Sequence, residues 1–291
     1  VTEFVRVSST VLPPKVFYRL CPELKEGGKT PAGTPVYVQL LGSDPALMAS
    51  NAKVVAKLGA PGIDLNFGCP AKTVNKSRGG ATLLKTPEAV FEICAAVRDA
   101  TPHSIPVTAK IRLGFDSDAQ FEEIAAQALR SGISELTVHA RTKSQAYRPP
   151  AHWQRLRDID NPSRTPIIAN GEIWTPSDLF DCRAQSGCDA FMLARGALCR
   201  PDLARAIKAH SEGLQLEPMS WEEITELLLY FFEANGELYQ RKYAINPLKQ
   251  WLVYLQYCYP QAAALFAQVK RIRDPDDMRV ALLGATAALA A

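Results

Sequence analysis

The sequence predicts a (β/α)8 TIM barrel followed by an all-α helical domain, and three observations carry that prediction. Seven short β-branched runs recur through the first two-thirds of the chain. Stretches of helical period separate most of them. From about Lys208 onward the strands stop, and only helical segments rich in aromatics follow. A chain of 291 residues is long enough for one large domain with a smaller one attached.

The runs are TEFVRV (2–7), TPVYVQLLG (34–42), GIDLNFG (62–68), IPVTAKIRLG (105–114), SELTVHAR (134–141), TPIIANGEI (165–173) and DAFMLARGAL (189–198). Most read as near-continuous apolar, as parallel strands covered on both faces do. Helices are expected over 44–60, 86–101 and 118–132. Asp44-Pro45 and Thr86-Pro87 each set a capping residue before a proline at the first helical position. Gly59, Gly132 and Gly187 fall where helices should end. Alternating β and α units leave a doubly wound sheet or a closed barrel. The chain opens Val-Thr-Glu-Phe-Val-Arg-Val, strand-like and without Met, so the barrel's first strand and helix are expected to be absent from this sequence. A seven-stranded open sheet is the alternative. The barrel is expected over 1–207 and the helical domain over 208–291, with helices at 221–239, 246–274 and 274–290.

Composition excludes several classes. No apolar run reaches the roughly 18 residues of a membrane span, and no signal-peptide pattern is present. A net charge of +3 is too mild to argue for nucleic acid by itself, so charge placement matters more than the total. The seven cysteines contain no C-x-x-C pair and the four histidines show no ligand spacing, which argues against a zinc site and a disulfide framework. Scattered cysteines fit a reduced, cytoplasmic interior.

The segment LNFGCPAKTVNKSRGG (65–80) places a cysteine at the mouth of a buried strand, ahead of a flexible cationic loop. Cys69 is then either a small core residue at a turn or an acid or nucleophile facing a ligand. Catalytic groups of a (β/α)8 barrel gather at the C-terminal ends of its strands. Those positions hold Gln39; Asn66 with Cys69; Lys110 with Arg112; His139 with Arg141; Asn170-Gly171-Glu172; and Ala194-Arg195. Polar groups at six successive strands need a partner, because burying them alone is costly. Backbone amides of NGEI and ARGAL lie where barrels hold phosphate, and Arg195 adds a fork of donors. A phosphate at one end, with amide, amine and imidazole groups further round, suits a phosphorylated planar heterocycle such as FMN. Lys110 would then face the pyrimidine edge of the flavin and stabilise negative charge there.

The segments DLNFGCPAKTVNKSRGGATLLK, VTAKIRLG, VHARTKSQAY, IIANGEIW and ARGAL resemble the tRNA-dihydrouridine synthases over essentially the whole chain. TEFVRV, KTVNKSRGGATLL, NGEIW and KQWLVYL are most similar to the branch acting on position 16 of tRNA. The resemblance implies an FMN barrel with a helical tRNA-binding domain, in which NADPH reduces the flavin. Hydride then passes to C6 of a flipped-out D-loop uridine and the cysteine gives a proton to C5. Cys69 matches that acid; an ordinary thiol, with a pKa of about 8.5, keeps its proton at neutral pH yet can release it. Gln39, Lys110, His139, Asn170, Gly171, Glu172, Ala194 and Arg195 match flavin-binding positions. Asn66 matches the residue that meets the target uracil. Arg6, Arg141, Tyr147, Tyr254 and Lys270 are the remaining candidates for tRNA contact. Three departures stand out: Ala194 replaces the usual glycine before Arg195, Lys76 and Arg78 replace glycines, and Pro247 precedes Lys249 closely.

Residues 241–273 contain Arg241, Lys242, Lys249, Lys270, Arg271 and Arg273 with no acid, interleaved with aromatics. Cations with aromatics suit phosphate contacts and base stacking, while a helix pair with a solvated basic face is the plainer reading. Trp251 and Leu252 read as core. The expected protein is a monomer acting on tRNA, with no membrane and no metal. Two alternatives stay open: an FMN barrel oxidoreductase for a small dihydroorotate- or dihydropyrimidine-like substrate, and a non-enzymatic RNA-binding protein.

Overall fold

The computed structural model describes residues 1–238, 240 and 243–287. All seven expected strands form, each shorter than its run: β1 (Val5–Arg6), β2 (Val38–Leu41), β3 (Ile63–Asn66), β4 (Val107–Arg112), β5 (Glu135–His139), β6 (Ile167–Asn170) and β7 (Ala190–Met192). They make one sheet in sequential order, with every neighbouring pair parallel. A doubly wound sheet reverses its strand order at a switch point, whereas unbroken sequential order is barrel topology. These are seven of the eight strands of a (β/α)8 barrel. The open-sheet alternative falls.

Register corrects one expectation. Partners in a parallel ladder share a face, and successive residues of a strand point to opposite faces. Leu40, Leu65, Ala109 and Leu136 are partners in one row, on the outward face. The other face carries Gln39, Asp64 and Thr108 in one row, Asn66, Lys110 and Thr137 in the next, then Arg112, His139 and Asn170. Lys110 Nζ donates to Asn170 Oδ1 at 2.6 Å, two strands away, so this polar face is the concave one. The strands therefore alternate, apolar outward and polar inward. They read as continuous because Leu41, Ile168 and Met192 interrupt the inward polar set. Gln39 and Lys110 accordingly lie inside their strands, not at the ends where the sequence was expected to put them.

The connecting helices are α1 (Pro14–Leu20), α2 (Pro45–Lys57), α3 (Lys72–Lys76), α4 (Pro87–Ala100), α5 (Phe121–Arg130) and α6 (Pro176–Ser186). Asp44 caps α2 by accepting from the Leu47 N–H at 2.8 Å. Thr86 precedes α4 without any such side-chain bond. Gly59, Gly132 and Gly187 follow helices with φ of +80°, +80° and +71°, the left-handed region a glycine enters freely. Outside the sheet, Ala52 and Val55 of α2, Val90 and Val97 of α4 and Ile124 of α5 are fully buried.

The chain divides into two compact units, Val1–Glu172 with Asp181–Met192, and Ile173–Phe180 with the chain from Leu193 onward. The second unit holds α7 (Arg195–Cys199), α8 (Leu203–Ser211), α9 (Trp221–Leu238), α10 (Ile245–Leu255), α11 (Pro260–Val269) and α12 (Pro275–Ala287). The single helix expected over 246–274 is thus two. Pro260 has no N–H to continue α10 and instead takes the first position of α11. Ile224 and Leu228 recur every fourth residue along α9 with Phe232, and meet Leu248, Leu252 and Leu255 of α10 in one core. Trp251 lies half-buried against that core, its Nε1 donating to the Leu198 carbonyl at 3.0 Å. Among the described residues no helix is long and apolar enough to cross a membrane.

Leu252 is fully buried, so Leu252→Ala should lower stability by about 2–5 kcal/mol in urea unfolding. Tyr230 is 68% exposed, and Tyr230→Ala should change stability by less than about 0.5 kcal/mol.

Candidate active site

The concave polar face is a connected set of hydrogen bonds. Asp64, 1% exposed, accepts from Gln39 Nε2 and from Thr108 Oγ1, both at 2.6 Å. Asn66 Nδ2 donates to Gln39 Oε1 at 2.7 Å, and Asn66 Oδ1 accepts from the Gly68 N–H at 3.0 Å. Lys110 stands beside Asn66 in register and bonds Asn170, whose Nδ2 donates to the Met192 carbonyl at 2.8 Å. Burial pushes the Lys110 ammonium down to about 7; Asp64 opposes that shift and Arg112 adds to it. The Asp64 carboxyl is pushed up by burial, against the hydrogen bonds from Thr108 and Gln39 and the charge of Lys110.

Cys69 follows β3 and its backbone is held by the loop behind it. The Ala81 N–H and Asn75 Nδ2 both donate to the Cys69 carbonyl at 3.1 Å, and Thr82 Oγ1 steadies Asn75 at 2.6 Å. Gly80 has φ of +60°, and a Cβ there would lie 2.9 Å from the Cys69 oxygen and 3.0 Å from its Cβ. The paired glycines of the sequence thus let the returning chain touch Cys69. Arg112, 2% exposed, donates to the Gly68 carbonyl at 2.8 Å and to the Ala146 carbonyl at 3.0 Å, with Tyr147 and Cys69 within its electrostatic reach. The Tyr147 ring lies 5.4 Å from that guanidinium and 6.1 Å from the His139 ring, and is half exposed.

At the rim, Arg141 is fully buried and ion-paired with Glu172. Its Nε donates to the Arg148 carbonyl at 2.7 Å, and Nη1 lies 3.3 Å from His139 Nε2. Gly171 has φ of +115°, and a Cβ there would come within 2.9 Å of His139 Cδ2. Trp153 Nε1 holds the Gly171 carbonyl at 2.8 Å. The structure therefore gathers Gln39, Asn66, Lys110, His139, Asn170, Gly171 and Glu172 with Arg141 around one concave surface. Arg6, the register partner of Leu41, is exposed and bonded to the loop behind Cys69, to Ser77 Oγ at 2.5 Å and the Thr73 carbonyl at 3.3 Å.

In the second unit, Ala194 precedes α7 and the Arg195 guanidinium lies over the Trp174 ring at 4.9 Å. Tyr254 is half-buried on α10 and Lys270 is exposed after α11. Lys249 Nζ donates to the carbonyls of Lys270 and Ile272 at 3.1 and 2.5 Å, which draws a third cation to the Lys270–Arg271 turn. Arg241 and Lys242 lie outside the described residues.

Sequence reasoning gave no role to Asp64 or Thr108, and named Arg112 only as a strand-end residue. The signal for them was the inward alternation of IDLN and VTAKIR, polar at every second position. A cavity of about 380 Å3 between residues such as Leu156, Ile167 and Ala190 lies at the opposite, N-terminal ends of β6 and β7, away from this chemistry. Among the described residues no cluster of His, Cys, Asp or Glu is placed to hold a metal ion.

A parallel barrel with a half-buried amine, a polar concave floor and a cysteine whose backbone is held by its own loop defines an enzyme of the barrel class. The dihydrouridine synthase family model matches residues 1–289, and the chain belongs to that family. It is 49% identical over 274 residues to the tRNA-dihydrouridine(16) synthase of Pseudomonas putida, covering 94% of this chain and 85% of that protein. The tRNA-dihydrouridine(16) synthase of Vibrio cholerae is 48% identical over 275 residues, 94% of this chain and 83% of its own. That of Haemophilus influenzae is 44% identical over 283 residues, 97% and 90%.

Lys110 releases its proton near pH 7 when folded but keeps it to its ordinary 10.5 when unfolded. Between those values the unfolded chain binds more protons, so this group makes stability rise with pH. The stability of the parent relative to Lys110→Met should therefore rise between about pH 6.5 and pH 10 in urea titrations.

Proposed function

We propose that the protein is a flavin-dependent tRNA-dihydrouridine synthase that reduces the C5–C6 bond of a D-loop uridine, at position 16. The observation that carries the chemistry is Cys69, its backbone held by its own loop just after β3 and close to Asn66 and Arg112. The family and the names of its relatives support the substrate.

The concave face suits FMN on its donor set and on its backbone. Lys110 offers a cation, Gln39 an amide N–H, and Gly171 lets the 170–172 backbone pack directly against the His139 ring. Gln39, Lys110, His139, Asn170, Gly171 and Glu172 are proposed to hold the flavin. In the second unit, Ala194 and Arg195 are proposed to hold phosphate. When bound, FMN reduced by NADPH supplies the hydride for C6. The protein's residues do the rest: Asn66 and Tyr147 hold the base, Lys110 balances negative charge, and Cys69 Sγ gives its proton to C5. Arg141, expected from sequence to face tRNA, is instead proposed to position Glu172 and His139, since its guanidinium is spent on them inside the protein.

A polyanion needs a cationic approach. Residues 65–87 contain no acid, and Lys72, Lys76 and Arg78 are exposed on the loop behind Cys69, with Arg6 bonded to the same loop. Arg78 sits at φ of +59°, a conformation that costs a non-glycine residue on the order of 1 kcal/mol. Phosphate contacts by these cations and by Lys270 and Arg271 account for that charge. Tyr254 is proposed as an additional tRNA contact. Residues 1–207 are proposed as the catalytic domain and 208–291 as the tRNA-binding domain, acting on cytoplasmic tRNA.

Incubation with NADPH and unmodified tRNA, with dihydrouridine mapped by mass spectrometry, tests the reading. Cys69→Ala should keep its flavin spectrum and lose at least about 100-fold in rate. A parent protein that carries flavin but modifies no tRNA would end the proposal. Lys76→Gly with Arg78→Gly should lower the slope of log Kd against log salt by about 0.7–0.9 for each phosphate that the two cations neutralise in the parent.

A further inference from the structure

Asp64 takes no part in the proton delivery described above, yet it ends a directed series of hydrogen bonds. The series runs from the Gly68 N–H to Asn66 Oδ1, from Asn66 Nδ2 to Gln39 Oε1, and from Gln39 Nε2 to Asp64 Oδ2. A side-chain amide has nearly the same shape either way round, so its direction must be imposed from outside. The Gly68 N–H is donor-only and draws the Asn66 oxygen toward itself. That turns the Asn66 amine to the Gln39 oxygen and the Gln39 amine to residue 64. Only an acceptor can close the series. A carboxylate that takes Gln39 on one oxygen and Thr108 on the other is such an acceptor.

We infer that Asp64 is a positioning residue, which together with the Gly68 N–H at the other end of the series holds the direction of the Gln39–Asn66 amide pair, so that each keeps an N–H for a planar ring presenting carbonyl oxygens. Each amide spends one N–H inside the series and has a second to give. Reversed, the pair would present carbonyl oxygens, which repel the carbonyls of uracil and favour an amino-bearing base instead. The inference rests on the proposed function for its ligand and on the hydrogen bonds alone for its geometry.

Replacement chemistry separates direction from charge. In Asp64→Asn the new amide can turn its oxygen to Gln39 and its amine to Thr108 Oγ1, so the direction survives while the charge is lost. Asp64→Leu removes the acceptor. Asp64→Asn combined with Thr108→Val leaves the new amine without an acceptor, so that it competes for the Gln39 oxygen and works against the direction set at Gly68.

The test measures kcat and KM for tRNA, and the FMN dissociation constant by flavin fluorescence, in these variants and in Asn66→Ala. Asp64→Leu should lose about 10- to 100-fold in kcat/KM, the range expected for one or two misdirected hydrogen bonds. Asp64→Asn and Thr108→Val alone should each stay within about threefold, and together lose about tenfold or more. FMN binding should weaken about tenfold in Asp64→Leu and in the Asp64→Asn/Thr108→Val pair, but not in Asp64→Asn. In an Asn66→Ala background, Asp64→Leu should cost less than about threefold, because a residue acting through another is non-additive with it. Fully additive losses, or an Asp64→Asn as impaired as Asp64→Leu, would overturn the inference. If Asp64→Leu does not fold, the Asp64→Asn/Thr108→Val pair decides alone. A parent protein that binds FMN but makes no dihydrouridine ends the tRNA reading instead, and the FMN titrations then judge the amide pair.

Discussion

A half-buried ammonium on a polar floor has to be answered by groups fixed in place around it, and Lys110 sets that condition for the barrel. Its Nζ reaches Asn170 across the concave face, and Asn170 is in turn tied to the β7 backbone. Asp64 supplies the opposing charge from the neighbouring strand. Gln39, Asp64, Thr108 and Asn170 around Lys110 are buried and have little access to water. Each polar side chain must therefore find its partner on the next strand, and the register is what brings them together. A slip of one residue in β3 would turn Asp64 and Asn66 toward the helices and Leu65 toward Lys110.

The rim is held by different means from the floor. Arg141 spends a fully buried guanidinium on Glu172, His139 and the Arg148 carbonyl, and so ties β5's following loop to β6's. Removing one member of a buried ion pair costs far more than the intact pair contributes, so the arrangement specifies a geometry more than it adds stability. The loop after Cys69 does for β3 what Arg141 does for β5 and β6. Asn75, Thr82 and the returning Ala81 amide fix the cysteine backbone, leaving the thiol as the part free to act.

In the helical unit, the cations are organised by capping. Lys249 satisfies carbonyls at the end of α11, where helix C-termini carry unpaired oxygens and partial negative charge. Burial and the nearby Arg273 push its ammonium down. Lys270 and Arg271 remain exposed around it, so positive charge accumulates at one turn without an acid in the same stretch of chain.

Much of this was legible in the sequence. Seven strands, the cap at Asp44, the helix-ending glycines and the core role of Leu252 follow from local propensity and period, which act over a few residues and need no knowledge of the fold. The Asn-x-Gly-Cys-Pro segment marked Cys69 because that residue order carries its own turn and loop. What only the tertiary structure decided is which residues meet. Asp64 and Thr108 are 44 positions apart and read singly as a stray acid and a strand-forming threonine, yet register places them side by side. Arg141 read as a strand-end cation facing substrate, and the structure turns it inward because Glu172, from the loop after the next strand, arrives beside it. Strand pairing and barrel closure are long-range and cooperative, so the partner of a buried polar group cannot be inferred from its own neighbours in the chain.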